Sequence, residues 1–145
     1  MNRIQLMSAD DIKYLVVHCS ATRCNQDYTE AMLERNHKAR GFCKVGYHFY
    51  IRRDGTKSQH RYLLEVGVHA RPYNRCSIGI CYEGGLDEEG KPCNTLTQAQ
   101  YDRLTDLLTI LHKMFPKAKV VGHRDLPGTT PKESSTMMLT GMFLP

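Results

Sequence analysis

Apolar and polar positions alternate with period two over residues 12–19. Ile12, Tyr14, Val16 and His18 share one face, and Leu15 and Val17 share the other. Apolar side chains on both faces predict a strand interior to a sheet. Asp27, with Glu30 three residues later, has the spacing of a capping box and predicts a helix over residues 28–40, stopped by Gly41. Tyr47, Phe49 and Ile51 then alternate with His48 and Tyr50, and Asp54-Gly55 predicts a hairpin turn into residues 56–59. Residues 67–70 and 76–82 are further strand or strand-edge candidates, the second alternating Ile78, Ile80 and Tyr82. After a glycine-rich, acidic loop at 83–92, Thr97 and Gln100 form a second capping-box pattern. Tyr101, Leu104, Leu107, Leu108, Leu111 and Phe115 recur behind it at helical spacing until Pro116. Residues 119–123 predict a short last strand, and residues 137–145 carry no clear period. Strands interleaved with two helices predict an α/β fold: a single domain over residues 1–145, with a central mixed β-sheet flanked by helices in two or three layers.

Composition narrows the class of partner more than the fold. A hydrophobic fraction of 41% with 24% charged residues is that of a globular chain and excludes a disordered tail, a collagen or a coiled coil. The formal net charge of +5 favours an anionic polymer as partner without naming one. Nucleic acid fits poorly, because the basic residues are scattered in short pairs such as Arg52-Arg53 and there is no Trp to stack on a base. In residues 1–11, Ile4, Leu6 and Met7 are interrupted by Arg3, Gln5 and two aspartates, which is no pattern for an export signal, and no run is apolar enough for a membrane span. The expectation is a chain made in the cytoplasm without a signal peptide, most of its six cysteines reduced.

Among seven histidines, His18 and His123 each close a predicted strand, where two imidazoles can converge at a sheet edge. Neutral imidazole is a common zinc ligand; the alternative is that each ring hydrogen-bonds nearby backbone. His37, near the end of the first helix, either lines a groove or caps the helix carbonyls. His48 and His60 read as structural or exposed, and His112 lies beside the apolar stripe of its helix. Tyr47 fits a plain core position and Lys132 a solvated loop charge unless a site recruits them. His-Arg-Asp-Leu at 123–126 has the first letters of a kinase catalytic loop, but Thr130 stands where that loop needs Asn.

Several motifs occur together in order: Val17-His18-Cys19-Ser20-Ala21-Thr22, His37-Lys38-Ala39-Arg40-Gly41-Phe42, Val45-Gly46-Tyr47-His48-Phe49 with Ile51-Arg52-Arg53-Asp54-Gly55, Ser77-Ile78-Gly79-Ile80, and Gly122-His123-Arg124-Asp125. Over residues 12–132 the chain resembles the phage-lysozyme-like N-acetylmuramoyl-L-alanine amidases, which are related to the peptidoglycan recognition proteins. The resemblance implies a zinc amidase fold and hydrolysis of the amide between the lactyl group of N-acetylmuramic acid and L-alanine. It implies Zn2+ as cofactor, with His18 and His123 as ligands, Tyr47 as a catalytic residue and Lys132 as its basic helper. It places His69 in the substrate groove, with His37 a further candidate there. The implied partner is peptidoglycan or a muropeptide, met by a monomer that reaches the cell wall after lysis, through a holin-type pore or with another protein's help.

One position departs from the family. Its third zinc ligand is a cysteine two residues after the lysine, and here that place is Ser134. A serine hydroxyl does not deprotonate near neutral pH as a coordinated thiol does, so it is a poor zinc donor. Three readings stay open: a non-catalytic peptidoglycan-binding protein of the same fold, a C-terminus altered by frameshift or truncation, or a third ligand from Asp125 or Glu133.

Overall fold

The computed structural model describes residues 4–126. Its elements in chain order are β1 (Tyr14–Cys19), β2 (Thr22–Arg23), α1 (Glu30–Ala39), β3 (Phe49–Ile51), β4 (Lys57–Gln59), β5 (Ser77–Tyr82), β6 (Gly85–Leu86), α2 (Gln98–Met114) and β7 (Lys119–Gly122). β1, apolar on both faces, is paired on both edges, parallel to β5 and to β7. β3 joins β5 in parallel and β4 returns antiparallel, so the five-stranded sheet is mixed, in the order β4-β3-β5-β1-β7. Gly55 takes the left-handed φ of 88° that the β3–β4 turn requires. β2 and β6 form a separate two-stranded ribbon, which gives part of the predicted 83–92 loop a regular structure.

The period-two pattern sorts the sheet into two faces with different duties. Leu15, Val17, Phe49, Ile51, Ile78, Ile80 and Tyr82 pack with Leu104, Leu107, Leu108 and Leu111 of α2 into the main core. Burying each such side chain contributes roughly 1.5–3 kcal/mol. On the other face, Leu33 of α1 packs with Val45, Tyr47, Tyr50 and Cys81, and Val16 packs with Ala70 and Leu126. Helices on both faces make three layers. None of the six cysteines is in a disulfide, and among the described residues no helix is long and apolar enough to cross a membrane.

Four local expectations need correction. The first helix starts at Glu30 with Thr29 as its cap, whose Oγ1 accepts the Met32 N–H at 3.2 Å. Asp27 instead pairs with Arg53 at 2.7 Å, and the Tyr28 N–H donates to Glu83, which keeps residue 28 out of the helix. Residues 67–70 form no strand. The Asn74 carboxamide oxygen accepts the N–H groups of both His69 and Ala70 and bends the backbone there. Tyr47 precedes β3 and packs with Tyr50 and Cys81 rather than with Phe49 and Ile51. The last strand stops at Gly122, because His123 opens a 3-10 turn (His123–Asp125) in which Asp125 accepts the Gly122 N–H at 2.9 Å. The second capping box forms as predicted, with reciprocal 3.1 Å bonds between Thr97 and Gln100.

His48 ties the sheet to the loop above it. Its Nδ1 accepts the Gly79 N–H at 3.0 Å, so Nε2 carries the proton and donates to the Glu65 carbonyl at 2.6 Å. The Glu65 carboxylate is buried between Arg61 at 2.9 Å and Lys44 at 2.7 Å, which fixes that loop. Burial pushes the His48 pKa from 6.5 down to about 4. A lowered histidine value means that the neutral ring stabilises the fold fully above about pH 6.5. This contribution, worth up to about 3 kcal/mol, is lost as the pH falls toward 4. An NMR titration of the His48 ring is expected to give a midpoint near 4, with the unfolding free energy falling across the same window. A midpoint at the ordinary histidine value would contradict this account.

Candidate active site

The parallel strands end at one rim of the sheet, and the side chains of interest gather there. His18 is the fifth residue of β1, on the face opposite α2. Val17 pairs with Gly122 of β7, so His123, one residue further on, comes beside His18. The two ring centroids lie 5.1 Å apart. Tyr47 closes a third side, with ring centroids 5.0 Å from His18 and 5.3 Å from His37. All four are buried in the sense that matters here: His18 is 0%, His37 5%, Tyr47 7% and His123 8% exposed. Burial pushes the Tyr47 phenol well above its usual range, so it stays a proton donor.

A cleft of about 490 Å³ opens beside them, with His37, Tyr47, His69, Arg40, Arg71 and His123 among its walls and His18 buried behind His69 and His123. A larger opening of about 950 Å³ adjoins it, sharing Val68, Arg71 and Asn74 and adding Lys44 and Arg75. The two openings meet at Val68, Arg71 and Asn74 and together leave room for an extended ligand.

His37 lines the cleft. Its Nδ1 accepts the Gly46 N–H at 2.8 Å, which fixes the proton on Nε2, and the ring stacks edge-on against Phe42. His69 is half-buried. Its Nδ1 lies 2.9 Å from His18 Nε2 and its Nε2 lies 3.2 Å from the Ser77 hydroxyl. Gly79 makes room for that ring, because a Cβ there would stand 2.6 Å from His69 Cγ. His48 is structural, His60 is half-buried against Ser58, and His112 is exposed.

Of the predicted set, His18, His37, Tyr47, His69 and His123 come together in one place. Lys132, Glu133 and Ser134 lie outside the described residues. Asp125, the other candidate for a third ligand, accepts the Gly122 N–H through Oδ2 at 2.9 Å. Among the described residues no group of three or more His, Cys, Asp or Glu would hold a metal ion. His18 and His123 provide two imidazole donors whose Nδ1 atoms are both buried, which is a donor pair that suits zinc. Ser77, Asn74 and Arg71 escaped the sequence reading. Only the Ser77-Ile78-Gly79-Ile80 motif carried a signal for any of them, and it read as a strand.

A mixed sheet whose parallel strands end beside a cleft walled by imidazoles and a tyrosine makes this an α/β protein with a polar cleft at its strand ends. The family model for N-acetylmuramoyl-L-alanine amidase matches residues 8–135, and the chain belongs to that family. The endolysin of Enterobacteria phage K11 is 38% identical over 126 residues, which cover 87% of this chain and 83% of the relative. Among solved structures, the endolysin amidase LysCS of Clostridium intestinale URNW superposes with a TM-score of 0.71 at 29% identity, covering 89% of this chain and 81% of its own. The bumblebee recognition protein PGRP-SA shares the fold, with a TM-score of 0.77 at 20% identity over 98% of this chain and 87% of its own. The protein is a peptidoglycan hydrolase of the amidase family.

Gly79→Ala tests the seating of His69. The added methyl meets the base of a ring held by two hydrogen bonds, and overpacking of this kind costs about 1–3 kcal/mol. Chemical denaturation is expected to show that loss; an unchanged unfolding free energy would mean that His69 is not confined as described.

Proposed function

We propose that the cleft cleaves the amide between the muramic acid lactyl group and L-alanine, with Zn2+ held by His18, His123 and a third donor from the segment after residue 126. The observation that carries this reading is the pair of buried imidazoles, His18 and His123, 5.1 Å apart beside the cleft that His123 lines. Zinc bound there would supply Lewis acidity, polarising the amide carbonyl and easing ionisation of water near neutral pH. The protein's own part is orientation and charge. Tyr47, protonated and buried beside His18, donates its O–H toward the oxygen on which negative charge develops. Lys132, assigned by the resemblance, adds a cation to the same oxygen. His37 and Arg71 line the walls and engage the polar substrate.

Ser134 at the family's cysteine position favours a second reading, a wall-binding protein without catalysis. One set of measurements separates the two. After incubation with zinc, the protein is expected to hold about one equivalent and to release stem peptide from purified cell wall in a chelator-sensitive way. His18→Ala and His123→Ala are expected to lose the metal. Tyr47→Phe is expected to keep it while kcat falls by about 10²–10³, the usual effect of removing one oxyanion donor. Binding to cell wall without release of peptide would overturn the enzymatic reading and establish the binding one.

A further inference from the structure

A chain of hydrogen bonds runs from Ser77, at the start of β5, through His69 to His18, and it has a fixed direction. The Ser77 hydroxyl lies 2.6 Å from the Tyr73 carbonyl oxygen, which can only accept. The single hydroxyl proton is therefore committed there, and Ser77 Oγ faces His69 Nε2, 3.2 Å away, as an acceptor. His69 must then carry its proton on Nε2. A neutral ring protonated on Nε2 has a lone pair on Nδ1, and His69 Nδ1 lies 2.9 Å from His18 Nε2. His18 is thus the donor in that pair and carries its own proton on Nε2. Its Nδ1, buried beside His123, becomes the ring's electron-pair donor.

We propose that Ser77 and His69 are positioning residues that set the tautomer of His18, so that its Nδ1 is the nitrogen offered to the metal. Ligating histidines are commonly oriented in this way by a hydrogen bond to the other ring nitrogen. Here the orienting group is a second imidazole whose tautomer is dictated by a serine four residues from the carbonyl that orients it. The surroundings hold His69 in place for this task. Asn74 grips its backbone N–H at 3.0 Å, and the missing side chain of Gly79 leaves room for its ring, since a Cβ there would stand 2.6 Å from His69 Cγ. The link to metal rests on the zinc reading above; the tautomers themselves do not.

The test uses the full chain without metal, at a pH above the imidazole range. Long-range 1H–15N correlations are expected to place the proton of both His18 and His69 on Nε2. A proton on Nδ1 of either ring overturns the proposal. Zinc affinity, measured by competition with a chromophoric chelator, is expected to fall by roughly tenfold or more in Ser77→Ala. Ser77→Thr, which keeps the hydroxyl, is expected to restore it. A folded Ser77→Ala protein with wild-type zinc affinity also overturns the proposal. Should Ser77→Ala not fold, the tautomers of the wild-type chain decide the matter. If those tautomers are found and the protein takes up no zinc, the metal reading fails while the assignment of the protons stands.

Discussion

Everything at the cleft depends on the register of β1 between its two parallel neighbours. His18 pairs with Cys81 on one side, and Val17 pairs with Gly122 on the other. That alignment brings two histidines from opposite ends of the chain to adjacent places on the same rim. A slip of one residue would turn His18 toward α2 and bring Val17 to the site, since strand side chains alternate between faces. The register is held by what lies on the far face. Leu15, Val17, Ile78 and Ile80 are enclosed against the leucines of α2, so any slip would expose that whole set. The hydrophobic core thus acts as the alignment device for the imidazoles.

The second constraint is the cost of keeping so many imidazoles out of water. An unsatisfied polar group in such a place costs about 1–3 kcal/mol. The fold meets that demand with backbone groups and with other histidines. His48 is clasped between the Gly79 N–H and the Glu65 carbonyl, His37 takes the Gly46 N–H, and His69 joins His18 to Ser77. Glycine is required where these rings approach the chain. At Gly67 a Cβ would stand 2.9 Å from His69 and 3.0 Å from His48. His48 and His37 therefore have defined proton positions before any ligand arrives, and such preorganisation is what a catalytic centre gains from a rigid scaffold.

Much of this was legible in the chain itself, and the gaps have physical causes. β1, β5 and α2 announce themselves because their periodicity is local and unbroken over six or more residues. The order of motifs around His18, Tyr47 and His123 also points to one family. What could not be read are the features decided by partners far along the chain. Glu83 withholds Tyr28 from α1 across 55 residues. Asn74 bends residues 69 and 70 out of a strand they otherwise resemble. Ser77 looks like the first residue of an ordinary strand, and only its contact with His69 gives it a further meaning. His37 was divided between cleft and helix cap because its partner, the Gly46 N–H, belongs to neither pattern.

The central claim is that the β1–β7 alignment builds a zinc site from His18 and His123. The most direct measurement is a crystal structure of the zinc-soaked protein with anomalous diffraction recorded on both sides of the zinc absorption edge. The account predicts a single strong anomalous peak within bonding distance of one ring nitrogen of each of these two histidines. Fully ordered imidazoles with no peak between them, or zinc bound elsewhere on the protein, would contradict it.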